Sequence, residues 1–368
     1  MKYAALNKLI LALTVIFTGA LVASPFANAS EPEASGAEPT EHHEQKFNAS
    51  ELIMGHIADS HEWHILGSHE NPVSIPLPVI LYDQATGFTF AMSNAFEHEH
   101  VVNNRYVMEH DKIKVVDANG EVDEAATAGL WDFSITKNVA SILFSLTLML
   151  LVFFQVAKAY KRNGVKAPRG IQSLLEPIIV FVRDEIAKST IGEKKYERFM
   201  PFLLTVFFFI WINNLLGLIP IMPGGANVTG SITVCMALAL MTFIITTIRG
   251  NKHYWRHIFA MPGVPVAVLP ILTIIELLGV FLKPFVLMVR LFANITAGHI
   301  IALSFFSLIF IFGELNPIAG YGSSVLSLVF TVFMAMLELL VAFIQAYVFT
   351  LLSAIYFGMA VEEHHDHH

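Results

Sequence analysis

Pro284-Phe285-Val286-Leu287-Met288-Val289-Arg290-Leu291-Phe292-Ala293-Asn294-Ile295-Thr296-Ala297-Gly298-His299 places an arginine inside an apolar run that extends from about Ile258 to Phe312. Arg290 is twenty residues or more from either end of that run, too far for its head group to snorkel to water. A guanidinium at the centre of a bilayer costs at least ~2.5 to 3.5 kcal/mol, so an intramembrane arginine is read first as a functional residue. On a helix with about 100° per residue, Asn294 falls about 40° from Arg290, Lys283 about 20° and Glu276 about 40°, while His299 falls about 180° away. Gly298 removes bulk at one edge of this stripe, as small residues do where another helix approaches closely in a membrane. The stripe is expected to face a close partner, and His299 the protein's own bundle.

Composition supports a membrane reading. The 368 residues are 55% hydrophobic and only 14% charged, where a soluble domain carries about a quarter charged. The net charge of -8 sits mainly near the two ends and gives no basis for nucleic-acid binding. Cys235 is the only cysteine, which excludes an intrachain disulfide and a paired-thiol redox motif.

Residues 1–29 read as a secretory signal peptide: Lys2 and Lys8 give a basic start, Leu9 to Val22 an apolar core, and Ala27-Asn28-Ala29 a small-x-small cleavage site. The alternative, an uncleaved first membrane helix, is opposed by the short core and by Pro25. Residues 30–131 read as an acidic, His-rich exterior domain. It opens on a hydrophilic leader, Glu31 to Gln45, whose composition predicts disorder. Val79 to Tyr82 and Phe88 to Met92 flank Asp83-Gln84-Ala85-Thr86-Gly87, and Lys112 to Val116 precedes Asp117-Ala118-Asn119-Gly120, so small β-hairpins are expected. His42, His43, His56, His61, His64, His69, His98, His100 and His110 match no closed zinc spacing, although His61 and His64 at i, i+3 would share a helix face. They read as a solvated surface, with casual metal binding the lesser alternative.

Residues 132–368 hold the apolar segments, and five spans are expected with the N-terminus outside and the C-terminus inside. Val139 to Ala157 is long enough to cross, and Lys158, Lys161, Arg162, Lys166 and Arg169 behind it put that end in the cytoplasm. Ile171 to Ile186, with Leu174, Leu175, Ile178, Ile179 and Val182 on one side, reads as an interfacial helix. Phe202 to Pro220 and Ser231 to Ile248 are the next spans, joined outside by Met222-Pro223-Gly224-Gly225. Asn213, Asn214, Ser231 and Thr233 near that joint either bind water or bond between helices. The run from Pro270 to Phe312 would be about 65 Å long as one helix, against a hydrocarbon core of about 30 Å. It is therefore either two spans or one steeply tilted helix, and the lack of a break near Asn294 to Gly298 favours one. Val325 to Val361 is likewise unbroken, and Glu314 with Asn316 and Pro317 falls in an outer loop between the two. Glu338 and Gln345, seven apart, share a face of the last helix that Ala335 and Ala342 keep slim.

The arrangement resembles subunit a of the F-type ATP synthase, over roughly Val139 to His365. Arg290-Leu291-Phe292-Ala293-Asn294 with Gly298 matches that family's essential arginine segment, Glu276 and Lys283-Pro284 its approach, and Glu338 with Gln345 the polar pair of the last helix. Where the family often carries an acid at the position of His299 and a histidine at that of Glu338, the two are exchanged here. The resemblance implies a five-span, all-α stator with two long tilted helices, in a bacterial inner membrane, against a ring of c subunits and with b and other F0F1 subunits as partners. Two offset half-channels are implied. Protons would enter by Asn214, His299, Glu338 and Gln345, load a carboxylate on the ring, and leave near Glu276. Arg290 would release the ring proton and separate the half-channels, with Asn294 orienting it and Gly298, Lys283 and Ser231 in support. No cofactor or nucleotide site is implied in this chain. Glu276 alternatively serves only at the cytoplasmic interface. The rival classes are a secondary ion transporter or proton channel, for which no internal repeat is found, and an intramembrane protease, for which the facing carboxylates or HExxH are lacking.

Overall fold

The computed structural model describes residues 48–66, 73–109, 111–117, 119–163, 168–219, 224–261 and 264–362. The expected signal and leader, residues 220–223 of the outer joint, Lys166, His42, His43, His69 and His110 lie outside these residues.

The N-terminal part of the described residues opens on helix α1 (Ala49–Ile57) and continues as short antiparallel pairs. Strands β1 (Glu62–Leu66) and β2 (Val73–Pro76) form one hairpin. Strand β3 (Pro78–Asp83) lies between β4 (Gly87–Met92) and β7 (Trp131–Asp132). The tight β3–β4 turn needs Gly87 at φ 78°, and the Asp83 carboxylate accepts from the Ala85 amide at 2.9 Å. Strands β5 (Tyr106–Glu109) and β6 (Lys112–Val115) complete the set, with the short helix α2 (Glu124–Ala128) following. Val79, Leu81, Phe96, Tyr106, Ile113 and Val115 form the small core.

Two expectations need correction here. Strand β6 pairs with the preceding β5 through the turn at Asp111 (φ 62°), whereas the Asp117–Gly120 turn closes only a single bridge, Val116 to Val122. Val115 is instead occupied by the Thr127 hydroxyl, which accepts from its amide, and by its carbonyl bond from Asp123. His61 and His64 do not share a helix face, because residues 62–66 are extended and paired with β2. His61 is buried and its Nε2 lies 3.3 Å from Asp132 Oδ2. Among the described residues there is no cluster of three or more His, Cys, Asp or Glu side chains fit to hold a metal ion.

Among the described residues five helices are long and apolar enough to cross a membrane, so the chain is a multi-pass membrane protein. They are α3 (Lys137–Asn163), α5 (Met200–Gly217), α6 (Ile232–Arg249), α8 (Leu269–Leu315) and α9 (Pro317–Val361). Between the first two lies α4 (Ile171–Phe181), which runs on into a wider π-helical stretch, Val182–Lys188. Gln172, Leu175, Val182, Ile186 and Ala187 face the bundle, while Leu174 is 70% exposed. The short α7 (Lys252–Phe259) precedes α8.

Helix α5 is at the centre: Phe207, Phe208, Phe209 and Ile210 are all fully buried, as expected of a helix apolar on every side. Over its 18 residues 61% of positions are buried, against 6% and 11% in 18-residue apolar stretches of α8 and α9. The two long helices therefore pack on the bundle by one side and leave most of their surface uncovered. Each is a single unbroken helix, so the division of the Pro270–Phe312 run into two spans does not occur. At 1.5 Å per residue the 47 residues of α8 reach about 70 Å. No loop separates α8 from α9. Glu314 belongs to the last turn of α8, and the single residue Asn316 reverses the chain, its side chain accepting from the Ile318 amide with Pro317 opening the next helix.

Candidate functional site

The site follows from how α8 lies on its neighbours. Leu287 and Leu291, each 1% exposed, plug α8 into the core. One residue to the other side of this seam, Arg290 and Asn294 are exposed, with exposed Val286, Val289, Ala293 and Ala297 around them. No carboxylate of the described residues forms a salt bridge with Arg290. Glu276, fourteen residues before it, is about 21 Å of helix rise away. The guanidinium thus stands on an apolar, uncovered face without a counter-ion among the described residues.

Lys283 and Glu276 do not share that exposure. Both are half-buried, and Lys283 turns to α9, where its ammonium lies 5.7 Å from the centre of the Tyr356 ring. Thr242, Thr246, Tyr254, Val280, Pro284 and Tyr356 line a small recess around it. The last turns of α9, with Tyr356, cover this part of the stripe, which the angle per residue within one helix does not anticipate.

His299, Gly298, Glu338, Asn214 and Gln345 gather on the inner side. The His299 Nε2 atom is 3.8 Å from the position that a Cβ of Gly217 on α5 would take. At Gly298 the approaching helix is the chain's own α9: Glu338 Oε1 is 2.7 Å from the place a Cβ would occupy. That oxygen is buried and has no hydrogen-bond partner. One helical turn pair further on, Gln345 is buried against the bundle. Asn214 donates to the Ala342 carbonyl at 3.3 Å and accepts from the Thr229 hydroxyl, so it ties α5 to α9 and to the turn before α6. Asn213 donates to Phe209 in its own helix, and its carbonyl oxygen is buried without a partner. Ser231 is the N-terminal residue flanking α6 and its side chain caps nothing, although Thr296 of α8 donates to the neighbouring Gly230 carbonyl at 3.4 Å.

Thr229, Thr296, Tyr356 and His56 belong to this neighbourhood and were not singled out among the site residues by sequence reasoning. Each is distant in the chain from the groups it meets, and none carries a charge or spacing that marks it. Chemically, an unpaired carboxyl oxygen beside an imidazole-bearing turn and buried amides is suited to passing protons. On the opposite face, an uncompensated guanidinium attracts an anion from outside the chain.

Comparison with known proteins gives the same region. The profile described as ATP synthase A chain matches residues 139–358. A second profile, a domain of unknown function, matches residues 52–133. The chain is similar to ATP synthase subunit a of Chloroherpeton thalassium, 43% identical over 245 residues that cover 65% of this chain and 70% of that protein. It is similar to ATP synthase subunit a 2 of Chlorobaculum tepidum, 44% identical over 247 residues, 65% of this chain and 67% of the relative. With ATP synthase subunit a of Myxococcus xanthus it shares 41% identity over 258 residues, 68% of this chain and 81% of the relative.

Proposed function

We propose, because this chain belongs to the ATP synthase A chain family, that it is the proton-translocating stator of an F0 sector. Its partners are a ring of c subunits, the b subunits of the peripheral stalk and the remaining F0F1 subunits, in a bacterial inner membrane. The N-terminus is outside and the C-terminus in the cytoplasm, with the basic residues after α3 held inside.

In this reading the exposed face of α8 lies against the ring. Arg290 draws a deprotonated ring carboxylate toward itself, lowers that acid's proton affinity, and by its fixed charge keeps protons from crossing directly between two half-channels. Asn294, one turn on, orients the guanidinium. The outer half-channel runs along Asn214, His299, Glu338 and Gln345, with Gly298 admitting the Glu338 carboxyl and Ser231 at the margin. The inner one opens near Glu276 and Lys283. No nucleotide chemistry is assigned to this chain.

The observation that carries the reading is Arg290, exposed on an apolar face of α8 with no salt bridge among the described residues, while the other side of that helix carries His299 and the Gly298 seat that receives the Glu338 carboxyl of α9. The test is Arg290→Ala in the assembled complex. Proton-driven ATP synthesis is expected to be abolished while the subunit remains inserted and assembled. Normal coupled synthesis by that variant would overturn the stator assignment.

A further inference from the structure

The exterior part has no role in the reading above, yet it touches the site. Helix α1 packs on α8, and the His56 ring lies 6.4 Å, centre to centre, from that of His299, inclined by 52°. His56 is exposed to water, whereas His299 is partly covered by α5 through Gly217. The end of α1 is held in place independently of the ring. Lys137, the first residue of α3, donates to the His56 carbonyl at 3.4 Å, and its backbone amide donates to Ser60. Asp59 accepts from the Thr136 hydroxyl and from the Asn138 amide, each at 2.9 Å. His56, Asp59 and Ser60 are thereby clamped to the start of α3, and the imidazole is presented beside His299 on α8.

We infer that His56 is the outermost proton carrier of the outer half-channel, so that the exterior domain contributes a working residue to ion uptake by way of His299. The inference rests on the stator reading. In the transfer, water on the exterior side gives a proton to one ring nitrogen of neutral His56. The imidazolium then releases the proton from its other nitrogen to His299, and a tautomer change of the neutral ring restores the start. A centre separation of 6.4 Å is too long for a direct ring-to-ring hydrogen bond in most orientations and leaves room for about one bridging water. Imidazole suits this position because its proton exchange is balanced near neutral pH. From the spans, His299 and the Lys137 ammonium lie close to it. The lysine charge opposes a long-lived imidazolium and so favours handing the proton on.

The test is passive proton conduction through membrane vesicles stripped of the catalytic sector, using the whole assembled membrane sector. His56→Ala is expected to lower conduction by about tenfold, and free imidazole in the outer medium is expected to restore most of it. Undiminished conduction in His56→Ala overturns the inference. A loss that imidazole fails to restore also overturns it, because a packing defect alone would behave in that way. His56→Phe, which keeps a ring against α8, is expected to lose conduction like the alanine variant and gain nothing from imidazole as long as the ring fills the space; normal conduction in it counts against the proposal. Arg290→Ala run in parallel separates the two readings: if it abolishes coupled synthesis while His56→Ala conducts normally, the stator assignment stands and the His56 role falls.

Discussion

Glu338 Oε1 occupies the space that a side chain on Gly298 would need, 2.7 Å from the Cβ position, with the Glu338 Cγ and Cδ atoms at 3.3 and 3.4 Å. The glycine is therefore the seat of a carboxyl group from the same chain. Its absent side chain lets α8 and α9 close on each other with a polar group between them.

A methyl group at this seat is expected to move the carboxyl and not the helices. The crowded atoms belong to a flexible side chain, so Gly298→Ala should assemble with a cost of about 1 kcal/mol or less. Passive proton conduction should nevertheless fall several-fold, and Glu338→Gln should fall with it. Wild-type conduction by Gly298→Ala would remove the Glu338 carboxyl's position from the mechanism.

Gly358 presents the opposite case. A Cβ there would collide with the Thr190 carbonyl oxygen and lie 3.2 Å from its carbon, both backbone atoms. Backbone cannot rotate away, so Gly358→Ala must push the end of α9 off the turn at Ser189–Ile191. A destabilisation of about 1 to 3 kcal/mol is expected, visible as a lower midpoint of thermal unfolding in detergent and as weaker hydrogen-exchange protection over the last turns of α9. An unchanged midpoint would contradict the packing described.

The His61–Asp132 pair predicts a pH dependence in the exterior domain. Burial disfavours the charged imidazole, but the Asp132 hydrogen bond and charge, with Asp111 and Asp59 nearby, outweigh it and raise His61 above its ordinary value of 6.5. Asp132 is likewise disfavoured as an anion by burial, yet bonds from His61 and Ser134 hold it below its ordinary 3.8. The histidine contribution is fully present below pH 6.5 and is lost as pH rises through the raised value; the aspartate contribution is present above pH 3.8 and is lost on further acidification. The pair is thus strongest between those limits, even though burial raises Asp59 and Asp111 and so makes their own contributions run the other way. Relative to His61→Phe, the wild type should show its largest excess of hydrogen-exchange protection in β1 and β7 near pH 5, about 1.5 to 3 kcal/mol for a hydrogen bond between charged groups. That excess should shrink as pH rises from 6.5 through the raised His61 value. A difference that grows with rising pH would refute the assignment.

How far the chain could be read without coordinates depends on the range of the interactions involved. Apolar length and local periodicity act within a few turns, so the five long helices, the β3–β4 hairpin and the isolation of Arg290 from acidic neighbours were all legible. Asp83 to Gly87 is a local turn signal, and Arg290 stands out because a charge in a long apolar run needs no partner to be noticed. The pairing of β6 was misread because the Asp117–Gly120 turn signal is as strong locally as the true turn at Asp111, and only the packing of Ile113 and Val115 into the small core selects between them. His61 was likewise open between helix and strand until pairing with β2 decided it.

By itself the sequence determined which segments are apolar enough to leave water and where a permanent charge sits among them, since both are properties of neighbouring residues. Tertiary structure alone decided that Glu338 fills the notch at Gly298, that Lys283 turns to Tyr356, and that His56 of the N-terminal part stands by His299. Those meetings join residues tens to hundreds of positions apart. They are set by the close packing of whole helices, and no spacing within one helix encodes them.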